Sequence, residues 1–343
     1  MTLASCAKFY VVPQCKKINV HLNVIINSAA IDNADYSGII YEWDEEKYGK
    51  IVDKNVDTVT YVVFDSTFKE NEIINSVLGE EKFLDIKYPY KYDLVIRNKT
   101  RHTKYYLQEK KYVSESEYSD ITYGFNYAKP QKSIKQCEKQ YSAYNENVFS
   151  VIDENDLTID KMGKNQNGTY TYNCYVNSVM VPVSFTYIVQ LIIYNDDPQI
   201  PMIVDKCDYI GISGLAKNVD LITAKTGKEF GVVETTDIKP FQHNENYYIC
   251  CAKICTYGMP NMENGSSWIE NNYCELGIEL VLVNGNKKRG KVSVYNKILN
   301  NPNGGVITLT LNNSAIYDSD DYIDEGITPD VNEWEETVID VPF

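Results

Sequence analysis

The chain has 343 residues, of which 43% are hydrophobic, and a formal net charge of −15. This length and apolar content suit two folded domains and exclude a globally disordered protein. An acidic chain repels phosphate backbones, which argues against nucleic acid as a partner. The apolar runs, such as residues 188–194, are far shorter than the roughly 20 residues that span a bilayer, so we predict no membrane-spanning helix.

The N-terminal residues and the cysteines indicate where the protein stays after synthesis. The first residues lack the basic start and the apolar middle of a secretory signal, so we expect a cytoplasmic product. The nine cysteines are an odd number and unevenly spaced, which is not the pattern of a disulfide framework. We therefore expect mostly reduced thiols, and no cofactor is predicted.

Tyrosine is abundant, with 29 residues, and accompanies many Val, Ile and Thr residues. Aromatic and β-branched side chains favour strands. In chain order, the predicted strands are residues 20–28, 58–66, 92–98, 103–113, 169–195 and 306–311. The segment 169–195 is too long for one strand, and we place a turn at Asn177-Ser178. The best hairpin pairs residues 277–283 with 291–295 across Asn284-Gly285.

Two segments have apolar residues at helical spacing. Residues 71–85 place Ile73, Ile74, Val77 and Leu78 on one stripe, and residues 133–144 follow Pro130 with a similar pattern. The predicted fold is mainly β: two β-sandwich- or barrel-like domains with one or two short helices and an extended acidic C-terminal arm. The predicted ranges are 1–130 and 169–315 for the domains, 131–168 for a helix and polar linker, and 316–343 for the arm.

The candidates for chemistry are few. Zinc prefers four converging soft ligands, and the weak metal candidates are Cys250, Cys251, Cys255, Cys274 and His243. However, Cys250 and Cys251 would point to opposite faces of a strand, and buried cysteine is also a good core residue. The basic run Lys287-Lys288-Arg289 is interpreted as a charged hairpin segment rather than a nucleic-acid site.

The C-terminal region is the most unusual part of the sequence. Residues 298–343 contain no Lys or Arg and ten acidic residues. Apolar side chains are spaced through this acidic segment, which suggests that they anchor the arm on a neighbouring subunit. The predicted interface residues are Tyr322, Ile327, Trp334, Ile339 and Phe343.

The Asn/Tyr/Ile/Lys-rich composition, the segment 300–314 and the acidic arm 318–343 together resemble virion structural proteins of tailed bacteriophages with AT-rich genomes. This resemblance implies a non-enzymatic assembly subunit of a capsid or tail. It further implies that the chain assembles in the cytoplasm, contacts itself and other virion proteins, and then resides in the virion.

Two other functions fit the same sequence. The first is a carbohydrate- or receptor-binding β-sandwich module, in which Trp43, Trp268 and Tyr273 would form an aromatic platform for the ligand. The second is a hydrolase that uses two carboxylates, for which the acidic residues around Trp43 (Glu42, Asp44, Glu45 and Glu46) are the only local indication.

Overall fold

The computed structural model describes residues 17–26, 34–39, 43, 45–48, 50–51, 56–65, 67–78, 80, 92–119, 132–146, 162–164, 170–194, 204–238, 241–244, 247–261, 274–283, 285, 287–312 and 317–318. The fold is mainly β, with curled sheets in sandwich-like and half-barrel-like domains, which confirms the predicted fold class. Among these residues, no helix is long and apolar enough to cross a membrane.

The strands of the N-terminal half are β1 (Lys17–Ile26), β2 (Thr58–Asp65), β3 (Glu70–Val77), β4 (Tyr92–Asn98), β5 (Thr103–Gln108), β6 (Lys111–Ser116), β7 (Ser133–Ile134), β8 (Tyr141–Asn145), β9 (Met162–Lys164) and β10 (Tyr170–Pro182). A short helix, α1, spans Glu45–Tyr48.

The strands that follow are β11 (Phe185–Tyr194), β12 (Val204–Ala216), β13 (Asn218–Asp220), β14 (Lys225–Thr226), β15 (Phe230–Ile238), β16 (Phe241–Asn244), β17 (Tyr247–Thr256), β18 (Glu275–Leu282), β19 (Lys287–Ser293), β20 (Gly305–Asn312) and β21 (Tyr317–Asp318). A second helix, α2, spans Tyr295–Asn300.

The chain forms two compact units, each built from three separate segments. The first unit contains residues 1–26, 57–99 and 143–180, and the second contains residues 27–56, 100–142 and 181–343. The domain ranges 1–130 and 169–315, with a linker at 131–168 and an arm at 316–343, stay a prediction.

The first unit is organised around one sheet with the strand order β1-β10-β8-β4-β2-β3, and β9 also pairs with β10. Strands β1 and β10 run parallel over ten residue pairs, from Lys17↔Thr171 to Ile26↔Met180. The central strands supply large buried side chains: Tyr61, Phe64, Leu94 and Ile96. The β-branched and aromatic content of β2 and β4 explains why they occupy the interior of the sheet.

The second unit contains three sheets, with the orders β16-β17-β11-β20, β21-β19-β18-β12-β15-β7 and β14-β13-β6-β5. Its main apolar core draws on strands of the first two sheets and includes Tyr187, Leu191, Ile210, Leu280 and Leu309. Strand β11 is buried at every position between its two ends, and its inner sequence TYIVQLII is apolar except for Thr186 and Gln190.

Several sequence predictions of individual elements are confirmed. The hairpin at Asn284-Gly285 forms from β18 and β19 with the pair Gly277↔Lys291. Gly285 has a φ of +85°, the left-handed conformation that favours glycine. The strands predicted at 58–66, 92–98 and 306–311 correspond to β2, β4 and β20.

Other element predictions are wrong. The segment 71–85 begins with strand β3 and not with a helix. The helix predicted at 133–144 is replaced by β7, an irregular extended segment, and β8. Residues 103–113 form two strands and not one, and the turn in 169–195 lies at Val183-Ser184, beyond the predicted Asn177-Ser178.

Candidate functional site

Strand β3 forms one end of the sheet in the first unit. It pairs with β2 over residues Thr58↔Val77 to Phe64↔Glu70. Within the part of the chain that the structure describes, no other strand pairs with it. An end strand presents a row of backbone N–H and C=O groups that can pair with another chain.

The side chains of β3 add apolar surface to this end of the sheet. Ile73 and Val77 are each 50% exposed, and the exposed Asn75 lies between them on the same strand face. Ser76, on the opposite face, is buried. Exposed aliphatic side chains on an end strand are unusual because they favour unwanted association, so they indicate a contact surface.

The turn before β3 is held by the carboxylate of Asp65. Its Oδ1 accepts hydrogen bonds from the Thr67 N–H at 2.9 Å, the Thr67 hydroxyl at 2.6 Å and the Lys69 N–H at 3.1 Å. The hydroxyl bond is the main reason that the pKa of Asp65 lies below its ordinary value. These bonds fix the start of β3 without any glycine in the turn.

Aromatic stacking supports the same turn. Phe68 has a φ of +61°, a conformation that bulky residues rarely adopt. Its ring stacks on Phe64 with a centroid distance of 4.8 Å and an interplanar angle of 8°. This contact offsets backbone strain, since stacked aromatic pairs contribute about 0.5–1.5 kcal/mol. Strand β3 is therefore presented by a turn with a defined conformation.

Contacts between β2 and β3 also fix the position of the exposed side chains. Thr60 Oγ1 donates to Asn75 Oδ1 at 2.8 Å, directly between the positions of Ile73 and Val77. The register shifts by one residue between Val63 and Phe64. Such a bulge increases the local twist of a strand pair. The apolar pair Ile73 and Val77 therefore lies on an ordered strand.

A second pair of exposed aliphatic residues lies at the other end of the sheet. Ile25 of β1 and Val179 of β10 are direct partners in the parallel register. Their exposed fractions are 55% and 49%. Both ends of this sheet therefore carry exposed apolar side chains.

The predicted arm and platform lie mostly outside the described residues. This applies to the interface residues Tyr322, Ile327, Trp334, Ile339 and Phe343, and to Trp268 and Tyr273 of the platform. Trp43 is partly buried. The described part of the arm, β21, pairs with β19 through Lys288↔Asp318 and Arg289↔Tyr317.

The metal candidates are distributed over different environments. Cys250 and Cys274 belong to the main core of the second unit, whereas Cys251 belongs to a separate apolar cluster. Cys255 lies beside Cys137, a cysteine that the sequence did not single out. Among the described residues, no group of three or more His, Cys, Asp or Glu side chains could hold a metal ion. His243 lies in β16.

The basic run Lys287-Lys288-Arg289 begins strand β19 and contacts carboxylates. Lys287 Nζ lies 2.6 Å from Glu279 Oε1 and 3.3 Å from Asp208 Oδ2. The bond to Glu279 is the main reason that the pKa of Lys287 is raised. Arg289 Nε donates to the other oxygen of Glu279. Lys287 and Arg289 are thus matched by acidic partners, which does not suit a phosphate-binding surface.

The local acidic group proposed for a hydrolase is only partly described. Glu45 and Glu46 are exposed in the first turn of α1, whereas Glu42 and Asp44 lie outside the described residues. The described residues do not test the pairing of carboxylates, and the hydrolase hypothesis stays a prediction.

No family model and no curated protein matches this chain. It is similar to a crystal structure of a proposed adhesin from Bacteroides ovatus, with 10% identity, a TM-score of 0.48, and coverage of 91% of this chain and 98% of that chain. It is also similar to the fimbrial anchor protein Mfa2 from Porphyromonas gingivalis (11% identity, TM-score 0.41, coverage 86% and 90%).

A third similar structure is one of the proposed polysaccharide-binding proteins from Bacteroides thetaiotaomicron, with 10% identity, a TM-score of 0.43, and coverage of 88% and 96%. These neighbours are described as a proposed adhesin, a fimbrial anchor protein and proposed polysaccharide-binding proteins, and not as virion proteins of tailed phages. The phage resemblance is therefore wrong. The function as a virion subunit is wrong as well, and these neighbours give no support to virion proteins as partners.

Proposed function

We propose that this chain is a non-catalytic binding protein that docks an extended segment of another protein along end strand β3. The observation that carries this proposal is the apolar surface of Ile73 and Val77 on an ordered end strand. An extended peptide can add a strand at such an edge, with affinity from backbone hydrogen bonds and specificity from alternate side chains.

The character of the exposed residues favours a protein partner over a sugar. In the described part of the first unit, the large exposed hydrophobic side chains are the aliphatic residues Ile25, Ile73, Val77 and Val179. Sugar rings stack on flat aromatic faces, whereas aliphatic side chains interdigitate with other aliphatic side chains. The carbohydrate-binding role that centres on Trp43, Trp268 and Tyr273 stays a prediction.

The charge of the surface indicates what the docked segment looks like. Glu70 at the start of β3 and Glu80 after its end are exposed, and the chain as a whole carries −15. A second copy of the same acidic chain would be repelled, whereas a basic segment would be attracted. The partner segment that fits best alternates apolar residues with Lys or Arg.

The test uses a short fluorescent peptide that alternates Val with Lys, and a matched peptide that alternates Val with Glu. Binding to the full chain is measured by fluorescence anisotropy. We expect binding of the basic peptide, and a loss of about tenfold or more in affinity in the double variant Ile73→Ser, Val77→Ser, because two apolar contacts are removed.

Val283→Ser is the matched control, because Val283 is 63% exposed but lies in the second unit. It should leave peptide affinity unchanged. The proposal fails if the native chain binds neither peptide. It also fails if the double variant binds the basic peptide as well as the native chain does.

A further inference from the structure

Two cysteines that are far apart in sequence meet inside the second unit. The Sγ atom of Cys137 lies 3.7 Å from the Sγ atom of Cys255, and 118 positions separate the two residues. Each residue is 7% exposed, and both thiols are free. The two sulfur atoms are in contact but are not bonded, since a disulfide bond is about 2.05 Å long.

Hydrogen bonds from Gln136 hold the two cysteines side by side. Cys255 lies in β17, whereas Cys137 belongs to the irregular segment 135–140 between β7 and β8. The backbone N–H of Cys255 donates to Gln136 Oε1 at 3.0 Å. The amide nitrogen of Gln136 donates to Thr235 Oγ1 at 2.7 Å. The residue before Cys137 is therefore fixed against two strands.

Ser184 holds the chain on the other side of Cys137. The N–H of Gln140 donates to Ser184 Oγ at 2.7 Å, and this hydroxyl donates to the carbonyl of Glu138 at 3.1 Å. Bonds on both sides of Cys137 therefore maintain the approach of the two sulfur atoms.

The charges around the pair distinguish the two thiols. A hydrogen bond from Cys137, with the positive charge of Lys139, holds the pKa of the Cys255 thiol below its ordinary value. Burial raises the pKa of the Cys137 thiol. Lys139 is anchored nearby, because its Nζ donates to the Ser184 carbonyl at 2.9 Å. The thiol with the lower pKa is the better nucleophile near neutral pH.

We propose that Cys137 and Cys255 form a redox-active dithiol that closes to an intramolecular disulfide on reaction with a small-molecule disulfide. The Cys255 thiolate attacks one sulfur of the oxidant, forms a mixed disulfide and releases the first small thiolate. Cys137 then loses its proton and attacks the sulfur of Cys255, which releases the second small thiolate. One protein dithiol and one small disulfide thus become one protein disulfide and two small thiols.

A second close pair in the same unit provides an internal comparison. A hydrogen bond with Cys207 raises the pKa of Cys250, which disfavours its thiolate. Cys207 Sγ itself donates to the Tyr209 carbonyl at 3.3 Å. Both residues are fully buried in the core. We therefore expect this pair to stay reduced under conditions in which Cys137 and Cys255 react.

The experiment treats the full chain with oxidised glutathione, then unfolds it in denaturant with N-ethylmaleimide to block the remaining thiols, and maps the peptides by mass spectrometry. We expect a linked peptide that contains Cys137 and Cys255, and unlinked, blocked Cys207 and Cys250. Because access to the buried sulfurs needs local opening, the reaction should take hours. Closure of so long a loop should raise the melting temperature by about 5 °C or more.

Two variants make the result decisive. In Cys137→Ser, glutathione should remain on Cys255 as a stable mixed disulfide, and the melting temperature should not rise. In Cys207→Ser, the linked peptide should form as in the native chain. The proposal is overturned if Cys137 and Cys255 stay unlinked while other cysteines react, or if no thiol of the folded chain reacts.

Discussion

The β2–β3 and β18–β19 hairpins differ in how the outer strand of each is protected from pairing with another chain. Each hairpin adds a strand near one end of a sheet, and each turn contains a residue with positive φ, which is Phe68 in the first hairpin and Gly285 in the second. The outer strand β19 carries Lys287 and Arg289, and its far edge pairs with β21. The outer strand β3 carries Ile73 and Val77, which are half exposed.

This difference separates a protected edge from an available one. Charged side chains and an added strand both block unwanted pairing, and β19 has both. Strand β3 also carries Glu70 and Glu72, but it exposes Ile73 and Val77, and among the described residues no further strand pairs with its far edge. A protein that retains exposed aliphatic residues on such an end strand accepts a risk of aggregation. The binding function proposed for β3 gives a reason to retain it.

The largest expected effect on stability comes from a Glu→Gln substitution in the β18–β19 hairpin, which is compared with the same substitution in the β2–β3 hairpin. Glu279 is 5% exposed and contacts both Lys287 and Arg289. The change Glu279→Gln keeps the shape of the side chain but removes the charge that both cations share. We expect it to lower the free energy of unfolding by about 2–3 kcal/mol, measured by urea denaturation.

The matched control is Glu70→Gln on the exposed outer strand of the first hairpin. Because Glu70 is exposed, its substitution should change the free energy of unfolding by less than about 0.5 kcal/mol. Equal effects at the two positions would contradict the view that the β18–β19 hairpin depends on the charge of Glu279 more than the β2–β3 hairpin depends on that of Glu70.

The strands inside the sheets were predictable because their sequences carry a local signal. The run at β2, TVTYVVFD, is β-branched and aromatic, and the Asn284-Gly285 dipeptide is a strong hairpin signal. The turn at Glu109-Lys110 was not predicted because both residues have positive φ without glycine or asparagine. Strands β5 and β6 therefore looked like one segment.

The candidate site was missed because β3 has apolar residues on both faces. Ile73 and Val77 are exposed, whereas Ile74 is half buried, and their combined spacing imitates a helical stripe. Similarly, Ile134, Cys137 and Tyr141 recur at helical intervals, but they are buried in a segment that forms β7, an irregular stretch and β8. Neither the end position of β3 nor the contact of Cys137 with Cys255 can be deduced from sequence spacing, because both depend on strand order.

The next prediction compares the loss of stability caused by Val→Thr at a buried valine with the loss at an exposed one. Val292 of β19 lies in the main core and pairs with Leu276, whereas Val77 of β3 is 50% exposed. Val292→Thr buries a hydroxyl group among apolar side chains. We expect it to lower the free energy of unfolding by about 1–2 kcal/mol, and the melting temperature with it.

Val77→Thr should leave the free energy of unfolding within about 0.5 kcal/mol of the native value, because the added hydroxyl remains in water. Calorimetric melting curves of the two variants at equal concentration provide the measurement. A loss at Val77 as large as the loss at Val292 would mean that the exposed face of β3 packs against another part of the chain.

The smallest effect concerns the acid stability that the charged hairpin confers. A hydrogen bond from Lys206 Nζ at 2.6 Å, with a second from Lys287, holds the pKa of the Asp208 carboxyl below its ordinary value of 3.8. The folded state therefore binds this proton less tightly than the unfolded state does. The resulting stability is fully present above about pH 4 and is lost as the pH falls through the folded pKa.

Because Asp208 and its two lysine partners are partly exposed, we expect a contribution of about 0.5 kcal/mol to the free energy of unfolding. The measurement is the difference in urea midpoint between the native chain and Asp208→Asn at pH 6 and at successively lower pH values below about 4, over which the difference should shrink. A difference that stays constant over this series would show that Asp208 acts through packing and not through its charge.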